Sequence, residues 1–382
     1  MSHQSASTNV VVIGAGPIGL ELAVALKQAG IEYLHFDAGQ IGSTMQWWAP
    51  GTQFFSSPDR IEICGVPLVT PDQTKATREQ YLAYLRGVAR QFDLNVQTHQ
   101  RVRKIRTTDD GFELAVLPST HGVGGSEEHA EVTSSASRDD RHPTRDAPRP
   151  PNQSQRLIHA KRIVLAIGNM HHARTLNVPG EHLPHVSHYL DDPHNYFDKR
   201  VLIVGGKNSA VEAALRLWRV GADVVMSYRG EQFHPKRVKY WLRPEIEWLI
   251  DTGRIEWHPE TVPHEIHDDS VVLAHVEGNG EQEYINADFV LLLTGYVQDP
   301  DLFEQLGIGI TGEERLPEYD PATMQTNVPG VYVAGTAAGG CQTRARLFIE
   351  NSHVHVDRIM HHMAGTCPSW TQAPEFAALE ES

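Results

Sequence analysis

Cysteine is scarce. The chain of 382 residues has three, Cys64, Cys341 and Cys367, with no C-x-x-C pair among them. That excludes a disulfide framework and a redox dithiol of adjacent cysteines. Net positive charge is also missing: 33 Lys and Arg face 48 Asp and Glu, leaving −15 at pH 7 and a pI of about 5.8. Nucleic-acid binders carry a basic surface, so that class is set aside. Long apolar runs are absent as well. The longest, Val10 to Leu20, is 11 residues with three glycines, whereas a membrane-spanning helix takes about 20. The first residues, Met1 to Thr8, lack the basic and apolar regions of a secretory signal. The expectation is a soluble, acidic, cytoplasmic protein of two or three domains, at roughly 100–200 residues each.

What is present is a motif that needs little else. Val10 to Ile13 is a β-branched run, the mark of a buried parallel strand. It leads into Gly14-Ala-Gly16-Pro17-Ile-Gly19, followed by Leu20, Ala23, Val24 and Leu26 at helical spacing and by Gly30 as a stop. A second strand, Ile31 to Phe36, ends at Asp37, 23 residues after Gly14. In a dinucleotide site the first glycine makes the tight turn and the second admits the pyrophosphate. The third lets helix and strand pack, and the acid accepts from a ribose. Gly14, Gly16, Pro17, Gly19 and Asp37 are therefore candidate cofactor ligands.

The pattern returns without a gap. Gly14 to Gly39 and Gly205 to Gly230 are both 26 residues long, and Gly30 falls on Gly221. The second copy runs Val201 to Val204, then Gly205, Gly206, Lys207, Asn208, Ser209 and Ala210, with Ala210 at the packing position. Where the first copy has Asp37, the second has Tyr228, followed at once by Arg229, with Lys236 and Arg237 nearby. A 2′-phosphate calls for cations in place of the acid. The plainer reading, an arginine that solvates a strand end, stands beside it. Two unlike dinucleotide sites in one chain suggest an electron relay, with FAD in the first and NADPH in the second. Two apolar strands ending in Gly168 and Gly295 fit the crossings between such domains. Thr326 to Thr336 is similar to the second FAD motif of two-dinucleotide flavoproteins, with Gly335 in place and Thr336 where an Asp is usual.

Taken in order, Thr52 to Ser57 (with Gln53), Gly205 to Ala210, Tyr228 to Gly230 and Phe348-Ile349-Glu-Asn351 resemble the YpdA-type bacillithiol disulfide reductases. That family lies within the thioredoxin-reductase-like flavoproteins. The resemblance covers nearly the whole chain apart from one insertion. It implies an α/β fold of two Rossmann-like domains, with the NADPH domain (197–295) inserted into a discontinuous FAD domain (1–196 and 296–382). It further implies a homodimer that passes electrons from NADPH through FAD to a low-molecular-weight disulfide such as bacillithiol disulfide. Gln53, Phe348 and Ile349 join the FAD candidates on this ground. The family often places a cysteine just before the third glycine of the first motif, where this chain has Ile18. A thiolate there could form a mixed disulfide and isoleucine cannot.

Residues 118–156 are rich in Gly, Ser and Pro, and 119–155 hold no aromatic residue. Such composition buries too little apolar surface to fold, and the expectation is a disordered insertion in a β-hairpin. The 22 histidines fall into no metal-binding pattern, so no metal is expected. Among the cysteines, Cys341, after Gly339-Gly340, is the candidate for catalysis. The acceptor is a small molecule or a small protein. Alternatives are a flavin monooxygenase, for which His188-Tyr189 through Lys199 offers a similar linker, a ferredoxin– or flavodoxin–NADP reductase, and a non-catalytic dinucleotide sensor.

Overall fold

The computed structural model describes residues 5–119, 155–278, 280–342 and 346–370. They form two compact units of α/β architecture. One takes the chain up to Gln46, from Gly51 to His172, and from Tyr296 onward; the other takes Trp47–Pro50 and Ala173–Gly295. The expected boundary at 196/197 lies inside the second unit. The chain joins that unit earlier because Val186–Ser187 pairs with Phe289–Leu292 at the edge of its sheet.

The first unit's sheet has seven strands: β1 (Ser5–Ile13), β2 (Tyr33–Phe36), β3 (Val96–Gln97), β4 (Gln100–Thr108), β5 (Gly111–Pro118), β6 (Arg156–Leu165) and a short strand at Val331–Val333. The order is β3-β2-β1-β6-β5-β4. β1 has parallel neighbours on both sides, with Val11 opposite Leu34 and Ile163. Buried on both faces, Val10, Val11 and Val12 have no exposed surface, which is why the strand reads as an unbroken apolar run. Along its other edge β6 is shared. Its first half pairs antiparallel with β5, and its last residues pair parallel with Val331–Val333.

Helix α1 (Pro17–Gln28) starts with Gly16 as an extended N-cap and Pro17 in the first turn, where a missing N–H costs nothing. Every residue from Pro17 to Leu26 is buried. Helix α2 (Arg78–Gln91) opens with a reciprocal capping box between Thr77 and Gln80.

The second unit repeats the plan. Its parallel sheet holds β7 (Val186–Ser187), β8 (Arg200–Val204), β9 (Asp223–Tyr228), β10 (Glu256–Pro259) and β11 (Phe289–Leu292) in the order β10-β9-β8-β11-β7. Helix α3 (Asn208–Val220) follows β8 and ends at Gly221 in the left-handed region. An antiparallel three-stranded sheet, Thr261–Ile266, Ser270–His275 and Gln282–Asn286, completes it. Near the C-terminus the helical segment that follows Phe348 is divided. A 3₁₀ turn at Ile349–Asn351 precedes helix α4 (His353–Ala364), because the Ser352 hydroxyl donates to Phe348 O (2.6 Å) and closes the first turn separately.

The expected insertion lies almost wholly outside the described residues, but its two ends are inside. Val116 pairs with Arg156, so the chain leaves and re-enters the sheet at adjacent positions. Replacing residues 119–155 by a short Gly-Ser turn is therefore expected to keep the hairpin. Loop-closure entropy changes slowly with length. The shortened protein should melt within a few degrees of the full chain in a calorimeter; loss of the folded transition would show that the segment supports the core.

Candidate functional site

The turn between β1 and α1 is the most constrained part of the first unit. Gly14 has φ +103°, and a Cβ there would lie 2.4 Å from Ala166 O. A Cβ on Gly19 would lie 2.0 Å from Gly14 O, so both positions admit only glycine. Gly16 differs: its φ is −74° and nothing lies within 4 Å of its Cβ position. The protein itself would tolerate a side chain there. Glycine at such a place suits a ligand that lies against the backbone, as a pyrophosphate does at a helix N-terminus.

Two side chains of the β2 end hold one peptide group of this turn. His35 Nε2 donates to Gly14 O (2.9 Å), and Asp37 Oδ2 accepts from the Ala15 N–H (2.7 Å). Asp37 Oδ1 also accepts from the Gly39 N–H (2.7 Å) and the Ser43 hydroxyl (3.2 Å). His35 is fully buried, which lowers its pKa to about 4 and keeps it neutral. Burial raises the pKa of the Asp37 carboxyl, opposed by its three hydrogen bonds. Asp37, Ser43, Gln100, Arg101 and His171 line one crevice with Gly14.

The same unit brings in the C-terminal motif. Gly335 lies against Ile18, its Cβ position 3.4 Å from Ile18 Cβ, and Thr336 Oγ1 is 3.9 Å from the Cβ position of Gly168. Gln298, buried, donates from Nε2 to Ala337 O (2.9 Å) and Gly168 O (3.3 Å) and so ties the two segments together. The Gly335 N–H donates to His355 Nδ1 (3.1 Å) on α4. His171 Nδ1 accepts from the Asp299 N–H (3.1 Å), and burial lowers its pKa to about 4. Asp299 is lowered to about 2, chiefly by its bond to His172.

In the second unit Gly205 has φ +143°, with its Cβ position 2.6 Å from Leu293 O and 3.0 Å from Ala210 Cβ. Gly206 lies under the Tyr228 ring, 2.4 Å from where a Cβ would be. Lys207 is the N-cap of α3; Asn208 Oδ1 accepts from the Lys239 N–H (2.8 Å), and Ser209 is exposed in the first turn. The Lys207 ammonium is held below its ordinary pKa, first by desolvation and then by the charges of Arg237, Arg229 and Arg174. Three arginines thus add to the positive charge felt at this helix N-terminus, a place that favours an anion. Gly295, with φ +104°, has open space at its Cβ position.

Other candidates stand apart. Gln53 is exposed and forms an isolated bridge with Thr77. Phe348, exposed, and Ile349 belong to the 3₁₀ turn before α4. Cys341 is half-buried, with its N–H donating to Glu314 O (2.7 Å). Cys64 is buried, and burial followed by the Glu21 charge pushes its thiol pKa well up, away from the reactive thiolate. Sequence reasoning missed His35, Arg101, His171, Arg174 and Gln298. Only His35 carried a local signal, two residues before Asp37 and hence on the same face of β2.

Glu21, one turn beyond Ile18 on α1, forms a buried pair with His353 (Oε2 to Nδ1, 2.7 Å), while Trp370 Nε1 donates to Oε1 (3.1 Å). Burial lowers the His353 pKa, but the Glu21 hydrogen bond and charge and the Arg60 carbonyl outweigh it, leaving the net value above 6.5. A raised folded-state pKa stabilises the fold fully below the unfolded value and ceases to do so as pH rises through the folded value. The stability gap between wild type and Glu21→Gln is therefore expected to be full below about pH 6 and to narrow as pH rises above the ordinary histidine value. Urea midpoints across that range provide the check, and a gap independent of pH would rule out the ion pair.

Residues 11–119 and 152–335 match the family described as pyridine nucleotide-disulphide oxidoreductase. The chain is 33% identical over 357 residues to bacilliredoxin reductase Bdr of Bacillus subtilis, covering 93% of this chain and 97% of that protein. The solved bacillithiol disulfide reductase Bdr (YpdA) from Bacillus cereus is 32% identical with a TM-score of 0.80, covering 94% of this chain and 99% of that one. A ferredoxin–NADP reductase of Ignicoccus hospitalis is 26% identical, covering 86% and 89% respectively.

Proposed function

The chain belongs to the pyridine nucleotide-disulphide oxidoreductase family, and from that premise we propose that it reduces a low-molecular-weight disulfide such as bacillithiol disulfide. It is an NAD(P)H-dependent flavoprotein oxidoreductase with FAD and NADPH as its cofactors. The reaction is NADPH + H⁺ + RSSR → NADP⁺ + 2 RSH. The observation that carries this reading is the pair of unlike cradles in one chain, one edged by Asp37 and the other by cations.

FAD, when bound, supplies the two-electron carrier between nicotinamide and acceptor. The residues that would hold it are Gly14, Gly16, Pro17, Gly19 and Asp37, with Gly168, Gly335 and Thr336 from the facing segments. Gln53, Phe348 and Ile349 enter by family likeness alone. Asp37 has lone pairs left for a ribose after its three bonds, since a carboxylate offers about four acceptor positions. Gly205 to Ala210, Tyr228, Arg229 and Gly295 would hold NADPH, with Arg229 at the 2′-phosphate. The same reading includes a homodimer in the cytoplasm, which sedimentation of the purified protein and cell fractionation would check.

A second reading is favoured by Ile18, an aliphatic side chain beside Gly335: direct transfer to a one-electron protein such as ferredoxin. The relative from Ignicoccus hospitalis is named for that acceptor.

Arg229→Ala is expected to weaken NADPH by about ten- to a hundredfold and leave NADH nearly unchanged, because a charge-assisted bond to phosphate is worth about 1.5–3 kcal/mol. Steady-state KM values for the two nucleotides decide it, and equal losses would make Arg229 structural.

A variant with serine at positions 64, 341 and 367 tests the route of electrons. Anaerobic NADPH should bleach its flavin at close to the wild-type rate. If bleaching survives while disulfide turnover vanishes, a cysteine takes part, with Cys341 first among the candidates. If bleaching itself fails in a folded protein, the two-cofactor relay is wrong.

A further inference from the structure

Arg174 was not among the residues expected at the nucleotide site. It lies one residue into the Ala173–Gly295 stretch of the second unit and is exposed. Its backbone is fixed at both ends: the Arg174 N–H donates to Gly295 O (2.9 Å), and the Thr294 hydroxyl donates to Arg174 O (2.9 Å). The segment that holds it runs beside the glycine turn of the second cradle. Leu292 is in register with Val204, the Leu293 N–H donates to Val204 O (2.9 Å), and the Gly205 Cβ position meets Leu293 O. Arg174 is thus anchored on the strand end that forms one wall of the turn Gly205-Gly206-Lys207. Arg229 follows β9, on the opposite side of β8.

We propose that Arg174 and Lys207 form a diphosphate clamp, separate in its chemistry from the 2′-phosphate group at Arg229. The inference rests on the reading that this cradle takes NADPH and goes beyond it by dividing the cations between two kinds of phosphate. The strand order supports that division. β8 lies between β9 and β11, so Arg229 and Arg174 approach α3 from its two sides. In a strand–turn–helix dinucleotide site the 2′-position lies at the end of the second strand, while the diphosphate crosses the helix N-terminus. Arg229 is at the first place and Arg174 beside the second. The effect of Arg237, Arg229 and Arg174 on the Lys207 ammonium agrees with one dinucleotide meeting all four. This arrangement also accounts for a lysine where the repeat predicts a small second glycine. A side chain that carries a positive charge contributes to binding the diphosphate that the glycine would only admit.

The test uses the flavin-loaded, full-length protein, so that the first cradle is occupied, and four probes in calorimetric or competition titrations: NADP⁺, NAD⁺, ADP and 2′-AMP. ADP carries the diphosphate without the 2′-phosphate, and 2′-AMP carries the reverse. Arg174→Ala is expected to weaken NADP⁺, NAD⁺ and ADP alike by about tenfold, the value of one charge-assisted bond, and to leave 2′-AMP within about twofold. Arg229→Ala should weaken NADP⁺ and 2′-AMP and leave NAD⁺ and ADP within about twofold. Arg174→Lys should recover part of the lost affinity, and because the two anchoring bonds use only backbone atoms of Arg174, Arg174→Ala should keep the wild-type melting temperature. A loss confined to NADP⁺ and 2′-AMP would make Arg174 a second 2′-phosphate group and overturn the clamp. So would unchanged binding of all four probes. Failure of the wild-type protein to bind any of them would instead sink the nucleotide reading itself, before Arg174 is in question.

Discussion

The peptide group between Gly14 and Ala15 is the point on which the first unit turns. Its carbonyl accepts from His35, its N–H donates to Asp37, and both side chains sit at the end of one strand. Gly19 approaches that carbonyl from the helix side, and Ala166 closes on the Gly14 Cα from the neighbouring strand. A peptide plane held from four directions cannot rotate, so the N–H groups at the start of α1 keep a fixed aim. Pre-set donors at a helix N-terminus favour phosphate without paying for reorganisation on binding. Burial supports the clamp by keeping His35 neutral, so that its Nε2–H remains a donor to Gly14 O without an unpaired buried charge.

The second cradle uses the same backbone plan and a different electrostatic solution. There the strand end carries Tyr228, whose ring covers Gly206, and the acid is replaced by Arg229. Lys207, Arg174, Arg229 and Arg237 concentrate positive charge on a chain whose net charge is −15. Net charge does not forbid this, because screening limits the reach of exposed charges to about 8 Å at physiological ionic strength. Positive charge can therefore gather locally on a chain that is acidic as a whole. The two cradles therefore differ in what they select while sharing how they select it.

Polar groups elsewhere in the first unit serve to join distant segments. Gln298 bridges Gly168 and Ala337, and Glu21 joins α1 to His353 and Trp370. Each brings together residues far apart in sequence, and each is buried and satisfied by specific partners, as low dielectric demands. A cysteine relay has less support in this arrangement. Cys64 is buried beside Glu21 with its thiol pKa pushed up, and Ile18 occupies the position next to Gly335.

The local plan is legible in the sequence. Two strand–glycine–helix repeats, their caps and the residue that ends each second strand follow from short-range rules of sterics and propensity, and these elements appear where those rules put them. The α/β architecture and the family followed from the repeat and its flanking motifs. The division of the chain was less legible: Ala173–Gly295 fall in the second unit, where the two-residue strand Val186–Ser187 pairs with a partner about a hundred residues later, and so short a strand leaves no periodic signal. The same limit hid His171, Gln298 and Arg174. Each is an ordinary polar residue in a connecting segment, and its role depends on a hydrogen bond or a charge across more than a hundred positions, or on a strand register fixed elsewhere. Backbone geometry within some thirty residues is written locally; which distant side chains meet at the turn is decided only when the sheets close.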